Sequence, residues 1–343
     1  MMAQSAGVTK GLEKDLLHGG DLDGARAAFP GAPEPWIDLS TGINPWPYPV
    51  PEIPAEAWTR LPGRAAERRL REAAAACYGA PSPDMVAAAS GSQALIQLLP
   101  RLRAPGRVAV LAPTYGEHAA CWAAAGHRVQ EVARPDGTEA EVLVVVNPNN
   151  PDGRLLPAAD LLALADRQAA RGGWLVVDEA FADPDPAASV AAQAGRPGLV
   201  VLRSFGKFFG LAGLRLGIAL AAPELAAALR TAIGPWAVSG PGLAVATAAL
   251  SDPDWIAATR NRLRDAAERL DRLLVAAGLE VVGGTALYRL VCTPNAFAHY
   301  TALGASGILV RRFDYRADWL RLGLPPDDEA MRRLAAACRG MLA

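Results

Sequence analysis

The chain has 343 residues, 51% of them hydrophobic and 20% charged, with a formal net charge of −1. That length suits two domains sharing a large core, and the near-neutral balance gives no electrostatic basis for binding nucleic acid or an anionic membrane. Cys77, Cys121, Cys292 and Cys338 are far apart and lack CxxC or CxxH spacing, so neither a metal site nor a disulfide framework is expected.

In chain order, residues 1–10 lack the apolar core of a signal peptide. No later apolar run reaches bilayer-spanning length without Gly, Pro or charge, so a cytoplasmic protein is expected. Residues 1–50 read as irregular and rich in Pro and Gly. They are densest at Asn44-Pro45-Trp46-Pro47-Tyr48-Pro49, whose aromatic residues predict a segment lying on a surface. A helix is predicted over 62–78, alanine-rich with charge on one face and stopped by Gly79. From about 85 to 220, apolar strand runs alternate with helices at 92–99, 117–125 and 158–171. That alternation predicts a mainly parallel sheet with helices on both faces. Residues 235–250 and 254–277 read as helices leading out of this domain. The end has strands at 280–282, 288–291 and 309–312 and a last helix from 327, as in a smaller α+β domain. The expected division is 1–50, an amino-terminal arm or small-domain segment; 51–250, a large domain; and 251–343, a small carboxyl-terminal domain.

The chemistry lies at strand ends. The run at 199–202 leads into Ser204-Phe205-Gly206-Lys207, then Leu211-Ala212-Gly213-Leu214-Arg215-Leu216-Gly217. One amine and several anion-binding groups gather there, which suits a lysine that forms a Schiff base beside a phosphate. Three constellations stand upstream. The run at 108–111 leads into Pro113-Thr114-Tyr115-Gly116. The run at 142–146 leads into Asn147-Pro148-Asn149-Asn150-Pro151-Asp152-Gly153, and that at 174–177 into Asp178-Glu179-Ala180-Phe181. Ligands of doubly wound sheets sit outside the carboxyl ends of the strands, so ring, amide, carboxylate and lysine should converge. Lys10 and Lys14, the other two lysines, fall in the poorly structured start.

With four such motifs in this order, the chain resembles the fold-type I, aspartate-aminotransferase superfamily of pyridoxal-phosphate (PLP) enzymes over nearly its whole length. His18-Gly19-Gly20-Asp21 and Leu39-Ser40-Thr41-Gly42-Ile43-Asn44-Pro45 resemble the opening of the threonine-phosphate decarboxylase branch, which belongs to cobalamin biosynthesis. The resemblance implies an α/β fold with a mainly parallel seven-stranded sheet in the PLP-binding domain, a smaller α+β domain, and a homodimer.

It also assigns roles. Lys207 is the candidate Schiff-base lysine, whose amine must be unprotonated to attack an aldehyde, and burial beside cations lowers a lysine's pKa. Asp178 would pair with the protonated pyridine nitrogen and keep the ring an electron sink. Tyr115 would stack on that ring, and Asn150 would donate to its O3′. Asn147 and Asn149 are then turn residues, and Glu179 is structural. Gly91, Ser92 and Gln93, at a helix start where free N–H groups favour phosphate, would cradle the cofactor phosphate with Ser204 and Arg215. For a small phosphorylated amino-acid substrate, Arg321 and Asn44 would hold the carboxylate, a bidentate task that suits arginine. His18 and Arg311 would meet the substrate phosphate. Arg312 points the other way if its segment is a strand.

Two positions depart from the family pattern. Phe181 stands where aminotransferase relatives commonly have the tyrosine of Asp-Glu-Ala-Tyr. Leu61, in Arg60-Leu61-Pro62, stands where many have a tyrosine that crosses the dimer to the cofactor phosphate. The implied reaction is decarboxylation of L-threonine O-3-phosphate to (R)-1-amino-2-propanol O-2-phosphate. The alternatives are histidinol-phosphate aminotransferase and a non-catalytic PLP-fold binding or regulatory protein. All share the anchors; the bond at Cα that stands perpendicular to the ring decides between the two reactions.

Overall fold

The computed structural model describes residues 19–340. His18 therefore lies outside the described residues. The chain forms two compact units, Trp46–Asn261 and a second made of the residues up to Pro45 with those from Arg262 onward. Among the described residues no helix is long and apolar enough to cross a membrane.

The first strand, β1 (Ile37–Asp38), belongs to the smaller unit. The larger unit is built on β2 (Val86–Ala89), β3 (Arg107–Leu111), β4 (Arg128–Val132), β5 (Val142–Val146), β6 (Trp174–Asp178), β7 (Leu199–Ser204) and β8 (Gly217–Ala221). These seven make one sheet in the order β2-β8-β7-β6-β5-β3-β4. β4, β3, β5, β6 and β7 run parallel, and β8 is antiparallel to both β7 and β2. The expectation of a mainly parallel seven-stranded sheet holds. The physical signature was the unbroken apolar strand. Every residue of β5 and β8 is buried, as in a sheet covered on both faces.

Most predicted helices appear within two residues of their expected ends. The helix Arg64–Tyr78 stops at Gly79, whose φ of 72° is a left-handed conformation that glycine adopts without strain. The helix expected over 235–250 instead begins at Gly240. Ser239 caps it by accepting the Gly242 N–H at 3.1 Å, and Trp236 at φ 60° cannot continue a helix backward. The first fifty residues are less irregular than expected. Leu22–Ala28 is a helix, with Asp21 accepting the Gly24 N–H at 2.9 Å. Its seven residues and internal glycine hide it from a periodicity argument.

In the smaller unit the expected strand over 309–312 is two strands. β9 (Glu280–Thr285), β10 (Tyr288–Cys292), β12 (Arg311–Phe313) and β13 (Arg316–Gly323) form an antiparallel sheet in the order β12-β13-β10-β9, while β11 (Ile308–Leu309) pairs in parallel with β1. The break at Val310 lets one apolar run serve two sheets. β13, missed in the sequence, carries both Asp318 and Arg321.

The Pro-rich segment after Pro45 packs on the larger unit. The Tyr48 N–H donates to the Phe209 carbonyl at 2.9 Å, its hydroxyl lies 3.3 Å from Asp252, and its ring meets Trp255 edge-on.

Candidate active site

Strand register brings the chemistry of the larger unit to one edge of the sheet. Val146 pairs with Asp178, Asp178 with Leu202, Ser204 with Gly217, and Gly217 with Ala89. The loops that follow β2, β3, β5, β6 and β7 therefore open on the same side. They carry Gly91 to Gln93, Tyr115, Asn150, Asp178 and Lys207.

Asp178 ends β6 and is 3% exposed. Its Oδ2 lies 2.8 Å from Nε2 of the buried His118, and its Oδ1 accepts the Ala180 N–H at 3.0 Å. A buried carboxylate needs such partners. Two hydrogen bonds fix the direction of the group. His118 escaped the sequence reading. Its signal was the spacing Tyr115-Gly116-Glu117-His118, which runs the strand-end loop into the first turn of the helix Glu117–Ala124.

Lys207 sits in a four-residue helix, Phe205–Phe208, directly after Ser204. Phe205 and Phe208 are buried, and Phe209 stacks on Phe205 with ring centroids 4.5 Å apart. These rings anchor the turn on both sides of the lysine. Lys207 Nζ is 5.6 Å from the centre of the Phe181 ring. Phe181 thus lies beside the lysine as a bare ring face, where a tyrosine would have added a hydroxyl.

The loop after β2 leaves space where side chains would ordinarily be. Gly91 has φ 94°, and a Cβ there would come within 2.6 Å of Arg215 Nη2. A Cβ on Gly217 would come within 2.2 Å of the Ser92 nitrogen. Arg215 itself holds a left-handed conformation, φ 54° and ψ 63°, a cost a non-glycine residue pays only where the surroundings demand it. An arginine, a helix-start amide and two glycines held by close approach lie together there, groups that could hold a phosphate. With Lys207 and Asp178 along the same edge, the donor set fits PLP.

Tyr115 donates to Gln93 Oε1 at 3.1 Å, and Gln93 Nε2 donates to Glu117 Oε2 at 2.8 Å. Burial pushes the Tyr115 hydroxyl up to about 12, helped by the Glu117 and Asp178 charges and opposed by Arg215. The neighbouring asparagines close the loops. Asn147 exchanges two hydrogen bonds with the Leu156 backbone. Asn149 donates to the Pro113 carbonyl at 2.9 Å and accepts from Thr114 at 2.7 Å, tying the Tyr115 loop to the Asn150 loop. Both are turn residues, as expected.

Glu179 is structural as well. It accepts from Arg203 at 2.7 Å, from Ser189 at 2.6 Å and from the Val190 N–H at 2.7 Å. Arg203 also pairs with Asp183 and lies over the Tyr78 ring. Burial disfavours the Arg203 guanidinium, but the Asp183 and Glu179 carboxylates outweigh it and raise its pKa. This cluster joins the ends of β6 and β7, the strands that lead into Asp178 and Lys207.

The smaller unit contributes an arginine pair. Arg311 on β12 stands opposite Arg321 on β13. Arg321 is 7% exposed, donates to the Ser40 carbonyl at 2.7 Å and faces the Tyr288 ring at 5.0 Å. Burial pulls its guanidinium down to about 10, and the Arg311 charge adds to that. Burial lowers Arg311 too. Arg321 is buried and Arg311 partly so, and the two like charges stand in register. Arg312 instead lies 3.5 Å from Asp314 and near the rings of Phe297 and Tyr300. Asn44, in the same unit, is buried.

Residues 54–337 match the family Aminotransferase class I and II. The chain is 49% identical over 329 residues to a threonine-phosphate decarboxylase of Pseudomonas aeruginosa, covering 95% of this chain and 98% of that protein. It is 48% identical over 331 residues to another from a Sinorhizobium species, again covering 95% and 98%. Among solved structures it is similar to a histidinol-phosphate aminotransferase from Sinorhizobium meliloti in complex with pyridoxal-5'-phosphate. The TM-score is 0.77 at 21% identity, over 98% of each chain, a likeness that speaks for the fold alone.

Proposed function

The chain belongs to the aminotransferase class I and II family, and on that premise we propose that it is a PLP-dependent carboxy-lyase. It removes CO2 from L-threonine O-3-phosphate to give (R)-1-amino-2-propanol O-2-phosphate. The observation that carries this reading is the near-full-length identity of 49% and 48% to two threonine-phosphate decarboxylases.

When bound, PLP supplies an electron sink for the pair left on Cα as CO2 departs. Asp178, oriented by His118 and the Ala180 N–H, would hold the pyridine nitrogen protonated. Gly91, Ser92, Gln93, Ser204 and Arg215 would hold the cofactor phosphate, Tyr115 would cover the ring, and Asn150 would donate to O3′. Lys207 would anchor the cofactor, and its Nζ is the group to deliver the proton that replaces the carboxylate on Cα. One carbon–carbon bond breaks and one carbon–hydrogen bond forms. Arg321 and Asn44 would hold the substrate carboxylate and Arg311 and His18 its phosphate, each charge-assisted bond being worth ~1.5–3 kcal/mol.

The enzyme acts in the cytoplasm as a homodimer. Support for the dimer comes from the large unit's exposed apolar side chains Val50, Trp58, Leu61 and Trp236, the middle two each 67% exposed. Such side chains on one unit suit burial against a second copy. Sedimentation at micromolar concentration should give twice the monomer mass.

The activity test offers the purified protein threonine phosphate and histidinol phosphate, each with and without 2-oxoglutarate. Release of CO2 from threonine phosphate without oxoglutarate is expected. Glutamate formation with histidinol phosphate would instead make it an aminotransferase. Silence with both would make it a binding protein.

A further inference from the structure

We propose that Glu117 is a positioning residue for Tyr115, acting through Gln93. The Glu117 carboxylate holds the amide end of Gln93, and the carbonyl end of Gln93 in turn holds the Tyr115 hydroxyl. The proposal rests on the reading that Tyr115 covers the cofactor ring.

A glutamine side chain has two unlike ends. It carries two donors on nitrogen and an acceptor oxygen, and a carboxylate can only accept. Glu117 Oε2 lies 2.8 Å from Gln93 Nε2, so the nitrogen is committed to Glu117. The oxygen is then left facing Tyr115, whose hydroxyl donates to it at 3.1 Å. A glutamine without that carboxylate could turn either end to the phenol. With it, the arrangement seen satisfies all three groups, and Cys121 Sγ, 4.0 Å from both Gln93 Nε2 and Glu117 Oε2, borders the pair. The bond to the carboxylate is the charge-assisted, stronger one of the two, so direction passes from Glu117 to Tyr115.

The placement in the chain fits this role. Glu117 opens the helix Glu117–Ala124, and Gln93 lies in the first turn of the helix Ser92–Leu98. The relay thus ties the loop on the phosphate side to the loop on the ring side. His118, the next residue, holds Asp178. One short stretch, 115 to 118, therefore supplies the covering ring, the group that sets its angle and the group that directs the carboxylate. Because burial keeps the Tyr115 hydroxyl protonated up to about 12, it remains a donor throughout the working pH range. A ring held at both its backbone and its hydroxyl has one tilt. That tilt constrains the plane of whatever stacks on it, which matters for a reaction governed by alignment at Cα.

The test uses the holoenzyme and reads both kcat and the visible circular dichroism of bound PLP, which reports the asymmetry of the ring's surroundings. Glu117→Met and Gln93→Leu should each lower kcat about threefold to tenfold, as for one lost hydrogen bond. KM should stay level, and both should weaken the dichroic band. Because the groups act in series, the double variant should be no worse than either single one. Glu117→Gln keeps an acceptor and should restore most of what Glu117→Met loses. Effects that multiply in the double variant, or a Glu117→Gln variant as impaired as Glu117→Met, would overturn the relay. Tyr115→Ala separates the proposal from its premise. If it alters the dichroic band while Glu117→Met does not, only the relay fails. If Tyr115→Ala leaves the band and PLP affinity unchanged, Tyr115 does not cover the cofactor and both fail. Should Glu117→Met not fold, Gln93→Leu carries the same comparison.

Discussion

Asp178 and His118 meet at 2.8 Å inside the larger unit, one from the end of a strand and the other from the first turn of a helix sixty residues earlier. The carboxylate is thus aimed by a ring that the strand itself could not supply. Asp178→Asn should abolish turnover while PLP still binds, because the neutral amide weakens the electron sink and leaves the phosphate cradle intact. Decarboxylation assays beside absorbance titration with PLP check this. Near-normal activity would show that Asp178 does not face the ring nitrogen.

Lys207 should carry the cofactor covalently. Borohydride reduction of the yellow protein followed by peptide mass analysis should find the pyridoxyl group on Lys207. A label on Lys10 or Lys14 would refute the assignment.

The arginine pair of the smaller unit should govern the substrate's anions. Arg311→Ala and His18→Ala should each weaken binding of threonine phosphate about tenfold to a hundredfold and erode the preference over unphosphorylated threonine. Arg321→Ala should weaken both substrates alike, since both keep the carboxylate. PLP affinity should be unchanged in all three. If neither Arg311→Ala nor His18→Ala loses the preference, the phosphate is held elsewhere.

Breaking the buried cluster behind the site should affect folding. Arg203→Met strands the Glu179 and Asp183 carboxylates, whose side chains are 0% and 4% exposed. Removing one partner of such a pair costs roughly 3–5 kcal/mol. At ~2–4 °C per kcal/mol for a domain of this size, calorimetry should show a fall in Tm of ~6–20 °C. A fall of only a degree or two would mean that the carboxylates find other partners.

Tyr115 should leave a mark on the alkaline limb of stability. Its folded pKa, about 12, lies above the ordinary 10.0 because burial disfavours the phenolate. The native state therefore holds the proton more tightly than the unfolded one. The corresponding stability is intact below pH 10 and is lost as pH rises from there toward 12. Tyr115→Phe should flatten the fall in Tm over that window. Parallel curves for the two proteins would count against a buried hydroxyl at this position.

Much of this protein is legible in its residues alone, because the signals are local. Four valine- and leucine-rich runs, at 108–111, 142–146, 174–177 and 199–202, read as covered strands, and ligands of doubly wound sheets sit outside the carboxyl ends of such strands. Asp178, Lys207, Tyr115 and Asn150 each end or follow such a run, and the parallel pairing of β3, β5, β6 and β7 is what puts them along one edge. The roles expected of Arg311 and Arg321 rest on the resemblance of the segments around them, not on local pattern. What the sequence could not express are relations between distant segments. His118 turning onto Asp178, Gln93 standing between Tyr115 and Glu117, and Arg203 binding two carboxylates all depend on which helix packs beside which strand. The split of one apolar run at Val310 is of the same kind, since each half is claimed by a partner far away in the chain. Local pattern determines where a side chain starts, whereas hydrogen-bond partners are chosen by tertiary packing, because a buried polar group must be satisfied by whatever the fold brings within reach.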